Sequence, residues 1–525
     1  MRYFNTAGPI KCEEHYCLPP LGRFNLTEIL SLISQKKYFV LHAPRQTGKT
    51  SYLLALMDYL NARESYRCLY LNVEAAQAAR EDVRQGMRAI LSEMALSAVA
   101  FLKDDFLESC WDQVFEKSGE YGALNMLLSL WAKESHLPLV ILIDEIDSLI
   151  GDTLISLLRQ LRAGYSKRPD MFPQSIVLCG VRDVRDYRIH SAKDKAIITG
   201  GSAFNIKAES LRLGNFSRDE VLALYGEHTE ETGQEFTHET LNLVWDLTQG
   251  QPWLLNALGY EVCFKMEEGR DRSKPITAEM VQQAKENIIL RRDTHIDQLA
   301  DKLQEARVRR VIEPILEGHK EPEQIPVEDL SYVIDLGLVR VDGQLQIANR
   351  ICQEVIPREL TYSTQVTISE QPSWYIGPDG QLDMDKLLGS FQEFFREHSE
   401  HWVERFQYKE AGPQLLLQAF LQRIINGGGR VEREYGLGRM RTDLLVIWPF
   451  QAGVQKVVIE LKVLYKSLDD TIAEGLKQTV EYMDRCGTDQ GHLVIFDRSE
   501  GKRWEDKIFK RKEKYQNKSI TVWGM

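Results

Sequence analysis

Two stretches of this sequence set polar and charged side chains at spacings that suit phosphate chemistry. In the first, Ala43-Pro44-Arg45-Gln46-Thr47-Gly48-Lys49-Thr50-Ser51 follows the apolar run Tyr38-Phe39-Val40-Leu41 and opens a helical stretch reaching Asn61. A loop between strand and helix presents backbone N–H groups that can cradle phosphates at the helix N-terminus. Lys49 would reach β- and γ-phosphates, and the Thr50 hydroxyl would sit on Mg²⁺. Pro44, Arg45, Gln46, Thr47, Gly48 and Ser51 complete the candidate cradle. Ala43 stands where a first glycine is expected, so the loop alone also reads as a plain polar strand-to-helix turn. A further apolar run, Leu139-Val140-Ile141-Leu142-Ile143, ends in Asp144-Glu145 and weighs against the plain turn. Asp144 can hold Mg²⁺ through water, and Glu145 can polarise an attacking water. Asp147 reads as a helix-start or solvated acid.

The second stretch begins at Arg441-Thr442-Asp443, which puts an acid at the start of the strand-like run Leu444-Leu445-Val446-Ile447. Lys456-Val457-Val458-Ile459-Glu460-Leu461-Lys462 follows, and residues two apart project from one face of a strand. Asp443 and Glu460, expected at a solvent-facing strand edge, could bind Mg²⁺ or Mn²⁺ through hard oxygen ligands. Lys462 could orient or activate water and stabilise a pentavalent phosphate. In the amphipathic run Glu474 to Tyr482, Gln478 and Tyr482 lie four residues apart and share a helical face. A Glu-x-Lys triplet alone is commonly just a solvated strand; the ordered set Asp, Glu-x-Lys, Gln-x-x-x-Tyr is rarer.

Strands and helices must hold these groups. Cys68 to Val73 and Ser175 to Gly180 add two more fully apolar strand-like runs, the pattern of a parallel sheet buried on both faces. From about Asn215 to Ile289 the period becomes helical, which predicts a helical lid on the sheet domain. Residues from about Arg292 to Leu360 predict helices and a hairpin turning at Asp342-Gly343, an arrangement that resembles a winged helix. Pro372, Gly377, Pro378 and Gly380 mark a linker. Helices are expected at Leu387 to His398 and Gly412 to Asn426, then three strands, a helix and the strand His492 to Asp497. The domain map is therefore 1–210 (α/β core), 211–290 (lid), 291–360 (winged-helix-like), 361–385 (linker) and 386–525. The fold class is multidomain α/β.

The loop, the acidic strand and the lid resemble a P-loop ATPase of the AAA+/STAND group over about residues 10–360, and within it the archaeal-type ATPases with a trailing winged helix. That resemblance implies ATP and Mg²⁺ as ligands. It assigns Gly250-Gln251-Pro252 to the Gly-x-Pro motif that brings a proline, here Pro252, near the adenine. Arg182, after the fourth strand, takes the place of a phosphate-sensing residue, or forms a plain ion pair. Arg159 and Arg162 could act as fingers in a neighbouring subunit, although solvated helix charges are the simpler reading. Residues 386–500 resemble the PD-(D/E)xK nuclease superfamily, with its αβββαβ order and restriction-endonuclease-like fold. Asp443 matches its metal-binding acid, Glu460-x-Lys462 its catalytic pair, Gln478-x-x-x-Tyr482 its helix motif, and Glu410 its first-helix acid. Thr442 replaces the proline usual before the first acid.

The 525 residues carry 43% hydrophobic and 27% charged side chains, a globular composition. No apolar run of about 18 residues spans a membrane, and no apolar signal core follows Met1. Eight cysteines scattered along the chain form no disulfide framework, so a reducing cytoplasm is expected. Cys12, His15 and Cys17 offer three zinc ligands without a fourth, and His15-Tyr16 is placed near the adenine by its position before the phosphate loop. With a net charge of −12, nucleic-acid contact needs a local basic patch. Arg439 and Arg441 could touch phosphates. So could Lys502 to Lys518, where eight basic residues face three acids with Trp504, Phe509 and Tyr515 between them; a solvated terminal helix is the alternative. The sequence thus predicts an ATP-regulated, metal-dependent DNA nuclease, with DNA and a second copy or regulatory protein as partners. The competing reading is a nucleotide-switched signalling or DNA-binding ATPase that binds DNA without cutting, and a third is a mobile-element or defence component in which a partner protein supplies the trigger.

Overall fold

The computed structural model describes residues 1–183, 188–190, 197–199, 204–291, 301–317, 325–360, 375–405, 412–425, 429–433, 444–464, 467–499 and 502–525. They divide into two compact units, Met1–Ile288 and Ile289–Met525.

In the first unit, β1 (Tyr38–His42), β2 (Arg67–Asn72), β3 (Leu139–Asp144) and β4 (Ser175–Gly180) lie where apolar runs predicted strands. A small antiparallel ribbon, β5 (Arg188–His190) with β6 (Ile197–Thr199), precedes β7 (Lys207–Arg212). The main sheet is parallel in the order β2-β3-β4-β1-β7. Alternation sends its side chains into two cores. Phe39, Leu41, Val140, Leu142 and Val177 meet α1 (Leu26–Ser34) and α2 (Lys49–Ala62) on one face. Tyr38, Val40, Ile141, Ile143 and Leu178 meet α3 (Val83–Leu102), α4 (Phe106–Ser118), α5 (Ala123–Glu134) and α6 (Gly151–Gly164) on the other. Each fully buried Leu, Ile or Phe contributes about 1.5–3 kcal/mol, so every run is held from both sides.

The expected helical region contains the helices Arg218–Thr232, His238–Thr248 and Pro252–Tyr260. Ser217 and Glu220 close a capping box at the first of them, which stabilises a helix start by about 1 kcal/mol. The N-terminal segment docks on that helix. Arg2 pairs with Glu227 and Glu231 at 2.9 Å each, Tyr16 Oη meets His228 Nδ1 at 3.1 Å, and the Phe4 ring packs on Tyr16 and Tyr225. Cys12 and Cys17 are joined by a disulfide, a pairing that the scattered cysteine pattern did not suggest.

The second unit begins with the helices Ala306–Glu317 and Val327–Asp335, then β8 (Val339–Asp342) and β9 (Gln344–Ile347). These strands pair antiparallel around Gly343, whose φ of 66° suits the tight turn expected there. The helix Arg350–Leu360 follows. Residues 361–374 of the expected linker lie outside the described residues. Its remainder is packed rather than free, because Trp448 Nε1 donates to Gly380 O at 2.9 Å and Leu382 N to Gln455 Oε1 at 2.7 Å.

The helices Met384–Arg405 and Gly412–Ile425 lead into β10 (Arg430–Arg433), β11 (Leu444–Phe450) and β12 (Gly453–Val463). The helix Leu468–Cys486 and β13 (Gly491–Phe496) come next, so the chain runs helix, three strands, helix, strand. β14 (Phe509–Tyr515) and β15 (Lys518–Gly524) complete a sheet ordered β10-β11-β12-β13-β15-β14. The basic run is therefore no terminal helix. Only Trp504–Lys507 is helical, and most of the rest is β14, a sheet-edge strand on which Lys510, Arg511, Lys512 and Lys514 are exposed. Among the described residues no helix is long and apolar enough to cross a membrane.

Candidate functional site

The phosphate loop joins the C-terminal end of β1 to α2. Gln46 (φ 58°) and Gly48 (φ 92°) take left-handed backbone angles, and Thr47 Oγ1 donates back to Pro44 O at 2.7 Å. Lys49, the first residue of α2, is buried, and its Nζ donates to Ala43 O and Pro44 O at 3.0 Å each. Its cation thus lies over the loop, where the helix N-terminus also favours an anion.

β3 is parallel to β2 and β4 and ends beside this loop. Thr50 Oγ1 donates to Asp144 Oδ2 at 2.7 Å, and Tyr70 Oη donates to the same oxygen at 3.1 Å. Asp144 is fully buried, and its other oxygen accepts the Glu145 N–H at 2.9 Å. One hydroxyl and one carboxylate fit Mg²⁺, which keeps waters and phosphate oxygens as its other ligands. Glu145 has a φ of 56°, a strained angle for a non-glycine residue. Burial raises its pKa, helped by Asp147 and Asp144, so the carboxylate is a stronger base than an exposed one. Asp147, expected as a helix-start or solvated acid, is half-buried and accepts the Val181 N–H at 2.9 Å, tying the end of β3 to the residue before Arg182. Arg182 itself lies two residues beyond β4, whose Gly180 O accepts the Ala43 N–H at 3.2 Å. Arg159 and Arg162 are exposed on α6.

A cavity runs from Gln46, Thr47, Gly48 and Ser51 to Pro252, Trp253 and Asn256, walled by Asn5 to Gly8, Ile10 and Tyr16 to Leu18. Pro252, the expected adenine contact, thus shares a cavity with the phosphate loop. It sits at the first turn of its helix, held there by Gly250 (φ 75°), where a Cβ would lie 2.0 Å from Phe216 O. Tyr16 lines the cavity; His15 does not, being turned to Tyr3 Oη at 3.1 Å. Sequence reasoning missed several participants. The Arg23 guanidinium donates to Thr47 O at 3.2 Å and Gly214 O at 2.6 Å and stacks on the Phe216 ring; burial pushes its pKa down to about 10. The N-terminal segment forms a wall, with Ile10 N donating to Ser51 Oγ at 2.9 Å and Trp253 Nε1 to Thr6 O at 3.0 Å. No motif announces these residues, because folding alone brings them to the loop.

In the second unit, Glu460 and Lys462 lie on β12, an interior strand between β11 and β13. Alternation places them on the face of Val458, which packs with Leu476, Val480 and Tyr482 of the helix Leu468–Cys486. The strand pair and the Gln478–Tyr482 helix therefore share one side of the sheet. Glu460 is fully buried, contrary to the solvent-facing edge expected for it, because β13 covers β12 beyond the β11 pairing. Lys462 Nζ lies 2.8 Å from Glu460 Oε1. Gln478 is half-buried, and its Oε1 has no hydrogen-bond partner among the described residues. β11 starts with Leu444 opposite Ile459, the neighbour of Glu460. Asp443, Glu410, Arg439 and Arg441 lie outside the described residues. Among the described residues no group of three or more His, Cys, Asp or Glu could hold a metal ion.

Residues 28–351 match the profile of the AAA-like domain family, and the chain belongs to that family. Its first unit is thus an AAA-like P-loop ATPase domain, to which ATP is the fitting ligand. Among solved structures, the Walker-type ATPase PABY2304 of Pyrococcus abyssi is 15% identical, with 67% of this chain and 99% of that one covered and a TM-score of 0.46. Cdc6p of Pyrobaculum aerophilum is 14% identical, covering 68% and 97%, at a TM-score of 0.38. The RuvB Holliday junction branch migration motor of Thermotoga maritima is 14% identical, covering 63% and 94%, at 0.33. No curated protein matches the chain.

Proposed function

We propose that the first unit binds and hydrolyses ATP and that the second is a metal-dependent DNA nuclease whose cutting the nucleotide state governs. In the first unit, Lys49 neutralises the β- and γ-phosphates, Thr50 and Asp144 hold Mg²⁺, and Glu145 takes a proton from the attacking water. In the second, Asp443 and Glu460 supply carboxylates for Mg²⁺, and Lys462 stabilises charge at the phosphorus under attack. Gln478 orients the site. The observation that carries the nuclease reading is the fully buried Glu460 carboxylate 2.8 Å from Lys462 on an interior strand. Burying two charges is costly in a purely structural role, where apolar residues of similar volume would serve at least as well. The winged-helix-like hairpin segment and the basic strand β14 would hold DNA, and self-association or a regulatory protein would supply the trigger.

Plasmid and single-stranded DNA incubated with Mg²⁺ or Mn²⁺, with and without ATP, test this. Metal-dependent cutting is expected, abolished in Glu460→Gln, strongly slowed in Lys462→Ala and less affected in Gln478→Ala, with DNA binding retained at constant salt. Glu460→Ala is a poorer probe than Glu460→Gln, since it also removes side-chain volume from a fully buried position. Binding without cutting under every metal and nucleotide condition would replace the nuclease by a nucleotide-switched DNA-binding or signalling ATPase.

A further inference from the structure

The cavity wall formed by the N-terminal segment is held from two sides. On one side, Ile10 N donates to Ser51 Oγ of α2, the helix that follows the phosphate loop. On the other, Tyr16 Oη meets His228 Nδ1 at 3.1 Å and Cys17 N donates to Glu227 Oε2 at 2.9 Å, both on the helix Arg218–Thr232. The Cys12–Cys17 disulfide joins the core-held part of the wall to the part held by that helix. Cys17 lines the cavity and is 5% exposed, whereas Cys12 and its neighbours Lys11 and Glu13 are exposed. Apart from the S–S bond, the turn is closed by Glu14 N and His15 N, which donate to Lys11 O at 3.0 and 2.8 Å, and by Lys11 N, which donates to His15 Nδ1 at 2.9 Å. A turn held by hydrogen bonds at the surface opens locally at small cost, and a covalent cross-link removes most of its open conformations.

The six other cysteines of the chain are free, and four of them are buried. One bond outside any disulfide framework, with one exposed partner, is of the kind that serves redox sensing. We propose that Cys12 and Cys17 are a thiol–disulfide exchange site that governs opening of this wall and, through it, the rate at which nucleotide leaves the cavity. The co-reactant is a dithiol. One of its thiolates attacks the Cys12 sulfur, and the S–S electron pair leaves on Cys17. The second thiolate then displaces Cys12 from the mixed disulfide. Two electrons and two protons pass to the chain, which gains two thiols, and the reductant departs as its own disulfide. The inference rests on the reading of the cavity as the ATP site.

Release of ADP carrying a ribose-linked fluorophore, chased with unlabelled ADP, tests it on the full-length protein oxidised with diamide or reduced with dithiothreitol. Thiol counts under denaturing conditions should give six in the first state and eight in the second. Release should be about tenfold or more faster from the reduced protein, a modest share of the constraint that one such cross-link imposes. Cys12→Ser, a change at an exposed position, should release at the fast rate with and without dithiothreitol. A purely structural disulfide would lower the melting temperature on reduction and leave release unchanged, which overturns the proposal while the ATP site stands. Eight thiols after diamide, slow release from Cys12→Ser, or a dithiothreitol effect that persists in that variant overturns it equally. Undiminished nucleotide binding by Lys49→Ala, or no binding by the wild type in either redox state, overturns the ATP reading and the proposal with it.

Discussion

Lys49 holds the carbonyl oxygens of Ala43 and Pro44 and must exchange them for phosphate oxygens when a nucleotide binds. Charge-assisted bonds of this kind are each worth about 1.5–3 kcal/mol, so Lys49→Ala should lower ATP affinity by about a hundredfold or more in a calorimetric titration. Glu145→Gln should bind ATP normally and hydrolyse it far more slowly, since Thr50 and Asp144 remain to hold the metal. The pH profile adds a check with a definite sign. Glu145 acts as base only when ionised, and its pKa is raised by burial. Wild-type turnover should therefore fall as pH drops through the Glu145 titration, and the residual rate of Glu145→Gln should lack that step. Lys49, Thr50 and Asp144 were legible in the sequence because the phosphate chemistry needs them in two short contiguous motifs. Arg23, Tyr70 and Asn256 were not, since each reaches the site only through the packing of a distant element. Glu460 was legible as a candidate and illegible in its burial, because a strand's neighbours cannot be read from the strand itself.

Among the elements, fully apolar runs announced β1 to β4, since strands covered on both faces leave no polar positions. β7 and β14 escaped for the complementary reason. Lys207-Ala-Glu-Ser-Leu-Arg212 and Phe509-Lys-Arg-Lys-Glu-Lys-Tyr515 are edge strands, and several of their polar residues, Glu209, Arg212, Lys510, Arg511, Lys512 and Lys514, face water. The contact between β13 and β15 carries its own pH dependence. Trp523 Nε1 donates to His492 Nδ1 at 3.2 Å, and burial pushes the His492 pKa down to about 4. Between pH 6.5 and 4 the unfolded chain binds a proton on this histidine and the folded chain does not, so stability rises with pH across that window. The loss at pH 5 relative to pH 7 should be about 2 kcal/mol from this residue. Denaturant titrations of the wild type and His492→Gln at both pH values check it. The variant keeps an acceptor for Trp523 without the titration, and an equal pH loss in both proteins would show that other groups are responsible.

At the scale of the whole molecule, the loop, Asp144, Arg23, Pro252 and Asn256 all fall inside the first compact unit. A fragment ending at Arg291, where its last helix ends, should fold alone and bind ATP within about threefold of the full chain, a difference of about 0.7 kcal/mol. Much weaker binding would mean that the second unit contributes to the nucleotide site. Unfolding of the full chain should accordingly depart from a single two-state transition. The two sheets also differ in when they can be finished during synthesis. In the first, the strand made last, β7, adds to an edge beside β1, so the interior pairing is already available when it emerges. In the second, β15 is made after every strand it must join, yet it lies inside the sheet, parallel to β13 and antiparallel to β14. Until it leaves the ribosome, β13 presents a bare row of N–H and C=O groups, and Trp523, Val522 and Ile520 are missing from the cores they fill. At about 5–20 residues per second the stretch from Phe496 to Gly524 leaves that edge open for a few seconds. The nascent second unit is thus a template for strand pairing with other chains during that interval, a hazard that chaperone supply and translation speed would govern and that stability of the finished protein would not reveal.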